Sequence, residues 1–171
     1  MKCEAAFLLV FAFLPNSHCQ TVPKNIPRSQ LQAVIDLPLN QAVHLRETYK
    51  GPLKAAYARQ MALYDKDCQT EADRGQQQYN ICIGQAGDNA DKDFAIFYNN
   101  LQMLCHDQDQ LATLQDSEKT WKIYRDSAMK AAHAAWPEGS GAPGFSGQVH
   151  LSLVRDFMRE LHEIYGLNIS Q

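Results

Sequence analysis

Apolar residues recur every third or fourth position along most of this chain, the period of a helix with one buried face. The clearest stripe is Phe94, Phe97, Tyr98, Leu101, Leu104 and Cys105, with Asp88 or Asn89 as the expected N-cap. A second carries Leu111, Leu114, Trp121 and Tyr124 and runs on through Ala128 to Ala135, where Pro137 stops it. A third carries Leu151, Val154, Phe157, Met158, Leu161, Ile164 and Tyr165, with Gly166 placed as its C-cap. Weaker signals predict a short helix at Leu31, Val34 and Ile35 ended by Pro38. They also predict a helix entered at Pro52 and bearing Leu53, Tyr57, Met61 and Tyr64, then one from Glu71 to Gln85 closed by Gly84 and Gly87. No segment alternates with the period of a strand. The expected fold is therefore all-α, an irregular bundle of four to five helices. Between the last two stripes, Glu138 to Gly147 holds four glycines and Pro143, and is expected to be an irregular loop.

The first residues break the helical pattern. Lys2 precedes an unbroken apolar run from Ala5 to Leu14, far short of the roughly 20 residues that span a bilayer and within the range of a signal-peptide core. Pro15 and Asn16 end it, and Ser17 and Cys19 stand at the usual minus-three and minus-one positions. Residues 1–19 are therefore expected to be a signal peptide cleaved near Cys19, directing the protein to the periplasm or the exterior. Lipid attachment at Cys19 is the weaker reading, because Asn16-Ser17-His18 lacks the aliphatic and small pattern of such sites. No later stretch approaches membrane length, so no membrane span is expected after cleavage. The chain divides into this leader, an N-terminal lead-in and short helix over residues 20–50, and a helical domain over residues 51–171.

Export changes the meaning of the cysteines. Without Cys3 and Cys19, the remaining ones are Cys68, Cys82 and Cys105. In an oxidising compartment the adjacent pair Cys68 and Cys82 is expected to bridge, closing a loop of about 15 residues worth about 3 kcal/mol in the chain-entropy picture. Cys105 is left over, either as a buried free thiol or as half of an intermolecular bridge.

Charge narrows the partners. Eleven acids lie between Asp65 and Glu118 against Lys66, Arg74 and Lys92, a local balance of −8 in a chain of net charge −3. An acidic middle is the wrong footprint for nucleic acid. It suits a basic protein partner, and it equally suits ordinary solvated helix faces.

Catalytic motifs are missing. Gly139-Ser140-Gly141-Ala142-Pro143-Gly144 has the spacing of a nucleotide loop, but no strand precedes it and Pro143 interrupts it. Neither Ser140 nor Ser146 sits in a nucleophile elbow, because Glu138 and Gln148 occupy the glycine positions. The histidines form no His-Glu-x-x-His, and His106 with Asp107 and Asp109 reads as a polar connector rather than a metal site. No catalytic residue, metal or cofactor is expected, and the protein is not expected to be an enzyme.

Two stretches carry a family resemblance. Asn80-Ile81-Cys82 followed by Ala90-Asp91 and Phe94 to Leu101 resembles the opening signature of the LprI-type lysozyme inhibitor family, a group of exported bacterial domains. Leu114-Gln115 and then Trp121-Lys122-Ile123-Tyr124-Arg125-Asp126 resembles that family's Trp-x-x-Tyr-Arg-Asp helix, and a final helix with Arg155 and Leu161 follows in order. Phe94-Ala95 departs from the usual Leu-Asn. Met129 stands where a cysteine often follows the Arg-Asp pair, so the resemblance implies that the first disulfide, Cys68 to Cys82, is kept and the second is absent.

The resemblance implies an exported inhibitor that binds a lysozyme or related peptidoglycan hydrolase and blocks its cleft. An immunity protein against a rival's wall hydrolase is a close variant, and a non-inhibitory cell-envelope binding or scaffold protein is the alternative from another class. Cys82, Tyr98, Trp121, Tyr124, Arg125 and Asp126 are expected to be structural, with Trp121 and Tyr124 on the core stripe and Arg125 and Asp126 capping or pairing with neighbouring helices. Partner contact is expected from the acidic surface at Asp88, Asp91 and Asp93 and from Gly139, Ser140, Gly141, Phe145 and Ser146 of the glycine-rich segment. That segment is either a plug or a mere connector.

Overall fold

The computed structural model describes residues 26–64, 66–135 and 139–170. The expected signal peptide, its cleavage site at Cys19, Pro137 and Glu138 lie outside them. Seven helices order the described residues: α1 Arg28–Ile35, α2 Leu39–Ala62, α3 Gln69–Ala72, α4 Gln76–Met103, α5 Gln108–Ala134, α6 Ala142–Ile164 and α7 Gly166–Ser170. No strand occurs among them. The all-α fold is as expected: four long helices of 24, 28, 27 and 23 residues carry it, and α1, α3 and α7 are short additions. No helix among the described residues is long and apolar enough to cross a membrane.

Helix α4 is the spine, with α2 and α6 packed against it and α5 packed against α6. Phe97, Leu101, Leu114 and Val154 are wholly inaccessible, so the three strongest stripes in the pattern converge on one core. Next to them, Trp121 of α5 stacks on Phe157 of α6 with centroids 4.6 Å apart and planes at 9°, and Phe94 of α4 lies 5.0 Å from Trp121. Such stacked and tilted ring pairs add to the area they bury. Asp107 caps α5, its carboxylate accepting from the Gln110 amide at 2.7 Å, which satisfies one of the orphan donors of the first turn.

Several boundaries differ from the periodic reading. Helix α2 begins at Leu39 and runs through Pro52, which the pattern placed at a helix start. An interior proline costs about 3 kcal/mol, and α2 offsets it by burying Ala42, Leu53 and Ala56 on one face. Helix α4 runs through Gly84 and Gly87 as one element, and its N-cap is Gly75 at φ +111, not Asp88 or Asn89. Each glycine costs a helix only about 1 kcal/mol, less than the burial of Ile83 and Ala90 beside them contributes. Gly166 opens α7 instead of capping α6, whose C-cap is Tyr165. Most of the expected loop is helix: α6 starts at Ala142, and Pro143 occupies its first turn, where a proline's missing donor costs nothing.

Glycines in α6 allow its close approach to α4. A Cβ at Gly147 would stand 2.2 Å from Cγ2 of Ile83, and one at Gly144 would stand 2.6 Å from Oδ1 of Asn80 and 2.9 Å from Cε1 of Tyr79. Those distances are far inside van der Waals contact.

The expected bridge is present, Cys68 to Cys82 with Cα atoms 5.8 Å apart, tying the start of α3 to α4. Cys105 lies just past the end of α4 and is 1% exposed, so it is a buried free thiol and not available for a bridge between molecules. Burial, reinforced by the Asp107 carboxylate and opposed by Arg46, pushes this thiol up to about 12 from an ordinary 9.0. Protein purified after export should therefore show no thiol to Ellman's reagent at pH 8 and one thiol once unfolded in guanidinium. The unfolded chain releases this proton near pH 9 and the folded one near 12, so the contribution to stability is intact below pH 9 and is lost as pH rises towards 12.

Candidate partner-binding surface

The N-terminal half of α6 lies across α4 and sorts the expected contact residues onto two sides. On one side a groove of about 300 Å³ gathers Asp88 and Asp91 of α4, Met129 and His133 of α5, and Pro143, Ser146 and His150 of α6. On the other, Phe145 joins Tyr64, Tyr79, Gln148 and Ser152 along a larger groove of about 780 Å³. Phe145 and Ser146 are neighbours in sequence yet line different grooves, because a helix turns about 100° per residue.

Asp88 is exposed and Asp91 half-exposed. Asp91 Oδ1 lies 3.1 Å from Nε2 of His150, whose Nδ1 is buried without a partner. Gly139 has φ +129, a backbone conformation only glycine adopts without strain, and Gly141 is the N-cap of α6. Asn80 fastens this turn: its Nδ2 donates to the Ser140 carbonyl at 2.7 Å, and its Oδ1 accepts from Gln76 at 2.8 Å. Asn80 thus tethers the short Gly139–Gly141 turn, and the rest of the segment expected to be an irregular loop, from Ala142 to Gly147, is helix.

Asp93 does not join this surface. Only 9% exposed, it accepts from Arg59 Nη2 at 2.5 Å and from Gln60 Nε2 at 2.8 Å. Gln60 in turn accepts from Arg155 Nε at 3.2 Å, and Arg155 also reaches the Leu63 carbonyl at 3.3 Å and the Asp67 carboxylate. This chain of groups knits α2, α4 and α6 to the segment before the disulfide. Nothing in the local pattern announces it, because the partners in each of its hydrogen bonds stand 33 to 95 residues apart.

The residues foreseen as structural divide. Tyr98 is buried and its hydroxyl donates to the Leu114 carbonyl at 3.4 Å, while burial holds the phenol far above its ordinary value. Cys82 is in the bridge, and Trp121 is 8% exposed within the ring cluster. Tyr124 is not in the core: it is 61% exposed, three residues from Trp121 and turned outward with Ile123. Arg125 and Asp126 pair with each other at 3.0 Å instead of with neighbouring helices, and the Arg125 guanidinium lies 5.1 Å above the Trp121 ring. Among the described residues no group of three or more His, Cys, Asp or Glu side chains could hold a metal.

The family model described as Lysozyme inhibitor LprI matches residues 67–163. The chain belongs to this LprI family. No curated protein and no solved structure matches it. The matched span opens at Asp67, the buried partner of Arg155, and contains the disulfide, the whole of α4 and α5, and nearly all of α6. In LprI terms, the Asn80-Ile81-Cys82 signature fixes the bridge and the turn before α6. The Trp-x-x-Tyr-Arg-Asp segment contributes Trp121, with Arg125 over its face, to the packing of α5 on α6.

Proposed function

We propose that this protein is an exported inhibitor that binds a peptidoglycan-cleaving lysozyme and blocks its cleft. The contact face is the groove holding Asp88, Asp91 and Ser146, with the Gly139–Gly141 turn beside it. Membership of the LprI family carries the reading. The choice of face rests on two exposed carboxylates converging with a fixed glycine turn, an arrangement that suits a basic partner with a concave site. Phe145, on the far side of α6, stands outside this face.

The test is a turbidity assay in which the protein, purified after export, protects a bacterial wall suspension from lysozymes of several types. Protection is expected from at least one, with a complex on a sizing column. The double variant Asp88→Lys, Asp91→Lys should raise the half-inhibitory concentration about tenfold or more at low salt. The wild-type protein should lose potency as salt rises. An Asp126→Lys control, on exposed α5 surface, should inhibit normally. No protection and no complex with any lysozyme would refute the inhibitor reading, and full inhibition by the double variant would refute the face.

A further inference from the structure

The larger groove, on the opposite side of α6 from the acidic face, has no part in the inhibitor reading. It runs between α3, the first turns of α4 and the N-terminal half of α6, and encloses about 780 Å³, within the range of small-molecule sites. Three rings line it, Tyr64, Tyr79 and half-exposed Phe145, interleaved with Gln148, Ser152 and Asp67. We propose that this groove binds a short neutral saccharide.

The lining chemistry selects that class by excluding others. Among the described residues the one cation lining the wall is Arg155, which Asp67 already neutralises, so a phosphate or carboxylate ligand would find no free counter-charge among them. An acyl chain would displace water from Gln148, Ser152 and the Asp67–Arg155 pair without offering any hydrogen bond in its place. A peptide held by strand addition would need a sheet edge, and no strand exists among the described residues. A pyranose ring satisfies both kinds of wall: its C–H faces lie on aromatic rings, and its hydroxyls exchange hydrogen bonds with amide, hydroxyl and carboxylate groups.

The groove is also built to hold its shape. The Tyr64 hydroxyl donates to Asp156 at 2.9 Å, and the Arg159 guanidinium lies over the Tyr64 ring, 5.4 Å from its centroid. Tyr79 is held against Gly144, and the floor is set by Arg155, fixed by Asp67, Gln60 and the Leu63 carbonyl. Rings and polar groups fixed before binding lose little freedom when a weakly held sugar arrives.

The experiment is a nitrogen-15 NMR titration of the protein, purified after export, with the trimer of N-acetylglucosamine, and with dodecanoate in parallel. Expected are saturable shifts for the trimer confined to residues 64–83 and 145–155. The Ser152→Trp variant, which fills the groove from an exposed position, should abolish them, and Tyr79→Ala should weaken binding about tenfold. No shifts at millimolar trimer, shifts that survive Ser152→Trp, or a response to dodecanoate alone would overturn the proposal. Ser152→Trp should still inhibit lysozyme, since the acidic face is on the other side of α6. Failure of the inhibitor reading would leave this titration unaffected.

Discussion

Replacing Arg155 with methionine is expected to lower the unfolding free energy by about 3–5 kcal/mol, the usual cost of removing one partner from a buried ion pair. The Arg155 side chain is 4% exposed and that of Asp67 is 11% exposed, so water replaces the lost guanidinium only in small part. The substitution would strand the Asp67 carboxylate, the Leu63 carbonyl and the Gln60 side-chain oxygen together. Methionine nearly matches the arginine stem in length, which keeps the loss electrostatic instead of a packing defect. Urea denaturation should show a lower midpoint with an unchanged slope. Adding Asp67→Leu to Arg155→Met should recover part of the loss, because an apolar pair of similar volume leaves no charge buried. A loss under about 1 kcal/mol for the single variant would mean that the pair is solvated and that Arg155 does not organise the helices.

Trp121→Ala should cost a similar amount, about 3–5 kcal/mol, while Tyr124→Ala should fall within about 0.5 kcal/mol of wild type. The two aromatics are three residues apart on α5, yet one stacks on Phe157 at 4.6 Å and the other is 61% exposed. Removing the indole opens a cavity between α4, α5 and α6 that the fixed rings of Phe94 and Phe157 cannot close. It also strips Arg125 of the ring it covers. Thermal unfolding of both variants decides the matter, and equal effects would mean that the two side chains share one environment.

How far the pattern along the chain could be followed depended on the range of the force at work. The stripes of α4, α5 and α6 were legible because each is a property of neighbours three and four residues apart. Cys68 and Cys82 were legible as a pair because few cysteines and a short loop leave little choice. Pro52, Gly84, Gly87, Gly144 and Gly147 misled, since all are breakers in an isolated helix. Their energetic penalties are small beside the burial of a whole helix face, and Gly144 and Gly147 are where α6 needs to come close to α4. Tyr124 misled for a related reason: a stripe two residues wide on α5 faces both the core and the solvent edge. The contact residues were legible only as a set. Asp88, Asp91 and Ser146 do share a groove, whereas Asp93 is taken up by Arg59 and Gln60, and Phe145 turns to the other side.

Local order alone therefore specified an all-helical chain, its strongest buried faces, its disulfide and its LprI signature. These need only periodicity, composition and the spacing of a few residues. Tertiary structure decided which acids are exposed and which are buried, where α2, α4 and α6 begin, and how α6 divides the surface into an acidic groove and an aromatic one. Each of those depends on groups tens of residues apart meeting in space, where a hydrogen bond or a clash outweighs the preference of any one residue.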